Sequence, residues 1–343
     1  MKQKRVTLAD VAKKAGKHIT TVSLALRNSQ RLSQETRERI QKLAKEMGYR
    51  PDPRMRALVS YRDRTRERIN PPVIAYVTNW NSRWGWQDTY AHPDFYIGAK
   101  RTAEELGFSL EHFWLREPGL THGRLSSIFK ARGIDGVIIA SHVREIDESL
   151  QFDWDHFSAV KIDYFPHKPE LHVVTNNQLH VVRLAMQEVM KAGYKRIGFV
   201  MDGGWDITVD NLYCAGFIWE QHKLPVEDRI EPYLIPSKEP LDDWVKRVQP
   251  EVIISTKNFL YPVFERLGMR VPDDIAFVDI LNEDDSGEIA GVKQNHIRVG
   301  ELAVETLASQ IQFNIRGIPA IPTTTHVEGI WVKGKTMPDK SGF

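Results

Sequence analysis

Six aromatic side chains, Trp80, Trp84, Trp86, Tyr90, Phe95 and Tyr96, fall within seventeen residues, close to Asn79, Asn81 and Asp94. Flat π-faces suit the apolar faces of a sugar or a planar ring, and neighbouring amide and carboxylate groups can fix its orientation, so this stretch is a candidate small-molecule site. The same rings can instead fill a lobe or a dimer interface, and that reading stands beside the first. A second concentration of chemistry lies at the amino-terminal end. The first seventy residues hold 19 Lys and Arg against 7 Asp and Glu, whereas the remainder holds 28 against 38. A basic head on an acidic body calls for a polyanion at the head.

Other chemistries find little support. The single cysteine, Cys214, excludes a disulfide framework and any CxxC metal site, and it sits in a helical stretch without a nucleophile motif. His167, His172 and His180 have no Cys or Glu at ligand spacing, and there is no HExxH, P-loop or GxGxxG pattern. The clusters Glu145/Asp147/Glu148 and Glu283/Asp284/Asp285 read as solvated acidic loops or helix faces. No metal, cofactor or catalytic set is therefore expected. No apolar run reaches the roughly 18 residues of a membrane span, and Met1-Lys-Gln-Lys-Arg5 leads into a polar helix rather than a signal peptide. The expectation is a cytoplasmic chain, nucleoid-associated when bound to DNA. The rival classes are an enzyme and a free solute-binding protein, the latter opposed by the basic head.

These groups need elements to hold them. Thr7 reads as the N-cap of a short helix with Leu8, Val11, Ala12 and Ala15 on one face and Gly16 at its end. A second helix starts near Thr20, with Val22, Ala25 and Leu26 packing inward, and Ser33 caps a third through Ile40, Leu43, Ala44 and Met47. Two short helices joined by a glycine-containing turn, closed by a third, form a helix-turn-helix plan. Pro51 stops the third helix and Pro53 suits the start of another short one, after which a charged stretch ending in Pro71-Pro72 reads as a linker. A chain of 343 residues suggests two or three domains. From Val73 onward, strands are expected at 73–78, 109–114, 136–140, 159–162, 196–200, 252–255 and 275–279. Helices are expected at 95–106, 125–132, 179–192, 211–222, 241–248, 260–267 and 299–314. This alternation implies an α/β body of two doubly wound parallel-sheet lobes.

The segments Val6-Thr-Leu-Ala-Asp-Val-Ala12, Ala15-Gly16, Thr21-Val-Ser23, Ser33-Gln-Glu-Thr-Arg-Glu-Arg-Ile40 and Met47-Gly-Tyr-Arg-Pro51 together resemble the lactose-repressor (LacI/GalR) family of bacterial transcription regulators. Fainter likenesses follow at Met190–Val200, Cys214–Phe217, Val271–Ile275 and Val292–Gln294. The resemblance implies a type 1 periplasmic-binding-protein-like body crossed three times by the chain, with an effector between the lobes. It divides the chain into a head at 1–50, a hinge helix at 51–60, a linker at 61–72, a body at 73–335 and a tail at 336–343. Lobe 1 would comprise about 73–190 and 296–322, and lobe 2 about 191–295 and 323–335.

By position, Ile19 and Thr20 would meet bases, while His18, Thr21 and Ser23 would meet phosphates or sugars. Leu24 departs from the arginine of many members and offers a base only apolar contact, such as with a thymine methyl. Arg27 follows one turn later and either faces solvent or phosphate or supplies part of the lost contact. In the hinge, Leu58 would wedge into the minor groove, and Met55 replaces a commonly small residue. For the effector the resemblance and the aromatic loop together nominate Trp80, Trp84, Tyr96, Tyr213, Thr256, Asn282, Gln294 and His296, with a carbohydrate-type ligand. The implied function is a homodimeric or larger repressor, binding a roughly palindromic double-stranded operator under small-molecule control.

Overall fold

The computed structural model describes residues 6–26, 32–49, 71–142, 149–164 and 168–341. The expected hinge helix at 51–60 with Met55 and Leu58, nearly all of the linker, Arg27, His167 and the Glu145/Asp147/Glu148 cluster lie outside the described residues.

The head is three helices, α1 (Leu8–Ala15), α2 (Ile19–Leu26) and α3 (Gln34–Glu46). At the start of α1 the Thr7 hydroxyl oxygen accepts from Asp10 N at 3.3 Å and the Asp10 carboxylate accepts from Thr7 N at 2.8 Å, a reciprocal capping box. Gly16 ends α1 in the left-handed region at φ 62°, where a side chain would be strained. Ser33 caps α3 by accepting from Thr36 N. The core is small: Val11, Ala12, Val22, Ala25, Ile40 and Ala44 are buried, with Leu8, Leu26 and Met47 packed around them. Gln41 Nε2 donates to the Ala25 carbonyl at 2.9 Å, which ties the end of α2 to α3.

The first lobe is built on β1 (Val73–Asn79), β2 (Ser109–Trp114), β3 (Gly136–His142), β4 (Ser158–Ile162), β5 (His172–Asn176) and β11 (Thr324–Val327). They form one parallel sheet in the order β11-β5-β4-β3-β1-β2. Strand β1, paired on both sides, is buried from Ile74 to Asn79, as a parallel strand covered on both faces requires. On one face lie α4 (His92–Glu105) and α11 (His296–Phe313), on the other α5 (His122–Arg132). Helices α4 and α11 meet almost backbone to backbone: a Cβ on Gly98 would fall 2.0 Å from Ile297 O, and one on Gly300 2.1 Å from Phe95 O. Only glycine fits either place.

The second lobe carries β6 (Ile197–Asp202), β7 (Tyr233–Ile235), β8 (Val252–Ser255), β9 (Ala276–Asp279), β10 (Gly291–Lys293) and β12 (Ile330–Val332), in the order β12-β10-β9-β8-β6-β7. All pairs are parallel except β12 against β10. Its helices are α6 (Gln178–Lys191), α7 (Gly203–Thr208), α8 (Leu212–Gln221), α9 (Leu241–Val248) and α10 (Lys257–Leu267). No helix of the described residues is long and apolar enough to cross a membrane.

The division between lobes differs from the sequence expectation. Helix α6 belongs to the second lobe, because Val181, Val182, Ala185, Met186 and Val189 pack with Ile197, Phe199, Val252 and Val278. Strand β11 belongs to the first, because it pairs with β5. The chain therefore crosses near Asn177, near Gln294 and Asn295, and near Glu328 and Gly329. Residues 336–340 are not a separate tail either. Thr336 is buried, accepts from Phe277 N at 2.9 Å and from Ala290 N through its hydroxyl at 2.9 Å, and Lys340 N donates to Ala192 O.

Candidate functional site

On the head, the start of α2 presents a compact outward face. His18, Ile19 and Thr20 are exposed, Thr21, Ser23 and Leu24 are half-buried, and Val22 and Ala25 are fully buried on the opposite side. Leu24 lies outside the apolar cluster that takes Leu26, so it does not serve the core. His18 stands just ahead of the helix and caps it: its carbonyl accepts from Val22 N at 3.1 Å, and its Nδ1 accepts from Thr20 N and meets the Thr20 hydroxyl. Ile19 is 41% exposed, a large apolar side chain with no core to fill.

In the body, a cleft of about 820 Å³ opens between the lobes. Lobe 1 contributes Trp80, Thr89, Tyr90, Ala91, His92, His142, Asp163 and Tyr164. Lobe 2 contributes Trp205, Thr208, Val209, Thr256, Lys257 and Asn258, together with Asp279, Leu281, Glu283 and Asp284. Nearly all of them sit at or just beyond the carboxyl ends of β1, β3, β4, β6, β8 and β9, where open parallel sheets leave their crevice. Each lobe offers one indole set edge-on to a second ring. Trp80 meets His92 edge-on at 5.5 Å, and Trp205 meets Tyr213 edge-on at 5.9 Å. The Trp80 Nε1 is buried and has no hydrogen-bond partner among the described residues.

Tyr90 links the two lobes. Its hydroxyl donates to the Leu281 carbonyl at 3.0 Å, and its ring stands edge-on to His296 at 4.9 Å, where the chain re-enters lobe 1. The next residue, Ala91, lies at φ 67°, ψ −42°, with His92 N donating to Tyr90 O at 2.7 Å. This is a γ-turn of the strained hand, which a non-glycine residue adopts only under constraint from its surroundings.

Of the eight effector residues nominated from sequence, Trp80 and Thr256 line the cleft and six stand behind or away from it. Trp84 is 50% exposed and rests on His112 at 4.8 Å; Tyr96 packs edge-on against Tyr76 inside lobe 1. Tyr213 is buried behind Trp205. Asn282 is buried, donates to Ile289 O and accepts from Asp284 N, so it shapes the loop bearing Glu283 and Asp284. Gln294 and His296 belong to a crossing: Gln294 Nε2 donates to Ile280 O at 3.1 Å, and His296 Nδ1 pairs with Asn176 Nδ2 at 2.9 Å. Sequence reasoning passed over His142, Asp163, Tyr164 and Trp205. A simple signal was available, since Asp163 directly follows β4 and His142 ends β3. The acidic loop expected to be merely solvated borders the cleft through Glu283 and Asp284.

Burial dominates the electrostatics. Asp279 is pushed up to about 6 by desolvation, against the opposing pull of N–H bonds from Leu281 at 2.9 Å and Lys257 at 3.4 Å. Desolvation lowers His92 to about 3 and His296 to about 4, so both rings are neutral at pH 7. Tyr90 is raised by burial and then by Glu283, which keeps its bridging hydroxyl protonated. Cys214 is likewise raised by burial, then by Asp206, and is no thiolate nucleophile. No cluster of three or more potential metal ligands occurs among the described residues.

Residues 7–52 match the family model described as bacterial regulatory proteins, lacI family. The repressor PurR of Mannheimia succiniciproducens is 23% identical over 326 residues, covering 89% of this chain and 92% of the relative. The solved complex of the transcriptional regulator CelR with cellobiose shares the fold at TM-score 0.55 and 18% identity, covering 97% of this chain and all of that one. The lac repressor dimer bound to operator and the anti-inducer ONPF does so at TM-score 0.55 and 17% identity, covering 98% and 100%.

Proposed function

We propose that this chain, which belongs to the lacI family of bacterial regulatory proteins, is a homodimeric transcriptional repressor. Its operator affinity is set by a carbohydrate-type molecule held between the two lobes. The observation that carries this reading is one chain joining two parts, a helix-turn-helix whose second helix turns Ile19, Thr20 and Leu24 away from its core and a body with an aromatic cleft lined from both lobes. The PurR relative is named a repressor, and the solved neighbours hold cellobiose in one case and an operator with an anti-inducer in another, which supports both halves of the reading.

On the DNA side, Ile19 and Thr20 face base edges, Leu24 meets a thymine methyl, and His18, Thr21 and Ser23 address the phosphodiester backbone. A single head reads few bases, so two-fold symmetry and a roughly palindromic site follow. On the effector side, Trp80 and Trp205 supply the stacking faces, and Asp163 and Asp279 accept from ligand hydroxyls.

The test is a selection of binding sites from random duplexes with the full chain, followed by anisotropy titrations of the selected duplex with and without sugars that raise the melting temperature. Palindromic enrichment and a roughly 5- to 150-fold change in affinity on sugar addition are expected. Failure to enrich any site refutes the DNA half. Enrichment with affinity indifferent to every stabilising sugar refutes the control half.

A further inference from the structure

The cleft that the proposed function assigns to a carbohydrate is lined by four carboxylates, Asp163, Asp279, Glu283 and Asp284, and among the described residues by one cationic side chain, Lys257. Three of the acids are held in place by the fold. Asp163 accepts from Tyr164 N at 2.9 Å and from the Thr175 hydroxyl at 3.0 Å. Asp279 accepts from Leu281 N, and Asp284 accepts from Ser286 N at 2.9 Å and Ile289 N at 2.7 Å.

Carboxylates of the protein itself stand at two backbone positions of the kind that ordinarily receive an anion. Free N–H groups and the positive end of the dipole make a helix start attractive to phosphate. At α10, Lys257 N donates to the Asp279 carboxylate, and at α7, Trp205 N donates to the Asp202 carboxylate at 2.6 Å. The protein's own acids therefore occupy two helix starts at the cleft. Lys257 is exposed, with its ammonium 5.5 Å from the Tyr261 ring, and no arginine lines the cleft among the described residues.

We infer that the cleft selects an uncharged saccharide and rejects its phosphorylated and carboxylated counterparts. A phosphate or carboxylate placed there meets fixed negative charge, with a carboxylate of the protein already standing at each of these helix starts. A neutral sugar instead stacks on Trp80 and Trp205 and donates hydrogen bonds from its hydroxyls to the fixed carboxylates. The inference rests on the carbohydrate reading and narrows it by charge.

The experiment compares matched pairs on the full chain by thermal shift and calorimetry: cellobiose with cellobionate, glucose with glucose 6-phosphate, and further neutral sugars with their aldonates. Among pairs in which either member binds, the neutral member should bind at least about tenfold more tightly at low salt, and the gap should shrink as salt screens it. Glu283→Gln, on an exposed loop side chain, should narrow the gap, and Asp279→Asn should narrow it further. An anionic member that binds as tightly as its neutral partner, or more tightly, overturns the inference and leaves the carbohydrate reading standing. Binding of neither member of any pair, by a chain that still binds its selected DNA, removes the carbohydrate reading and the inference together.

Discussion

The head and the cleft are the molecule's two binding surfaces, and their physical designs are opposite. The head is basic, its outward face is one short stretch of one helix, and its core is six small or medium apolar residues. The cleft is acidic, its lining comes from six strand ends on two lobes, and each lobe has a large core of its own. A contiguous face on a thin core suits a partner whose own rigid groove supplies the order. A discontinuous face can exist only while two domains hold their relative position, so its ligand senses that position directly. The contrast also sorts anions: polyphosphate is drawn to one end of the chain and small anions are turned away from the other.

The thinness of the head is the easiest part of this contrast to break. Ile40→Ala removes one of its six buried apolar residues and should cost about 2–5 kcal/mol, enough to unfold the head. Specific DNA binding should vanish while the body keeps its melting transition and its sugar binding. Calorimetric scans and anisotropy on the same preparation would show this, and an intact DNA affinity would mean that the head draws stability from elsewhere.

The acid in the cleft gives the next largest effect. Because the folded pKa of Asp279 lies near 6, above its unfolded value, the native state prefers it protonated. Stability is therefore lost as pH rises from about 4 to about 6, and the loss, on the order of 3 kcal/mol, persists at higher pH. Asp279→Asn should lack this component, so the difference in unfolding free energy between variant and wild type should shift in the variant's favour across that window. Denaturant melts at pH 4 and pH 7 measure it, and a pH-independent difference would place the carboxylate in contact with water or a cation.

Substituting Leu24→Arg sharpens the DNA side. Because Leu24 is half-buried yet outside the head's apolar cluster, an arginine there has room to reach a groove. A bidentate contact with guanine would shift preference at one symmetric position per half-site by about 1–3 kcal/mol. Parallel site selections with both proteins would reveal it, and identical selected sites would turn Leu24 away from the bases.

The smallest effect concerns the tether between lobes. Tyr90→Phe removes the hydroxyl that donates to Leu281 O and should weaken lobe closure by about 0.5–1.5 kcal/mol. Distance measurements between spin labels on α5 and α9 should show a broader, longer distribution in the ligand-free variant. An unchanged distribution would assign the hold between lobes to the crossing segments alone.

How much of this was legible beforehand varied along the chain for physical reasons. Caps, glycine stops and apolar spacing in the head are local, and Thr7, Gly16 and Ser33 stand where those signals put them. In the body, β4, β8 and β9 announced themselves as apolar runs although only four or five residues long, because they are buried throughout, whereas β5, β7, β10, β11 and β12 are only partly buried and owe their pairing to neighbours. Several helices begin about one turn earlier than periodicity suggested, because Thr121 and Asn295 cap first turns that carry polar residues.

The amino-acid sequence by itself determined the three-helix head, the inward packing of Val22 and Ala25, the alternating α/β body and the aromatic crowd after β1. Each of these depends on neighbours within a few residues. Only the tertiary structure decided that α6 joins the second lobe and β11 the first, that Trp84 and Tyr96 turn away while Trp205 and Asp163 turn in, and that Tyr90 reaches Leu281. Those choices are made where strand ends from distant parts of the chain converge. A side chain's direction there follows from sheet order and lobe position, which no local pattern encodes.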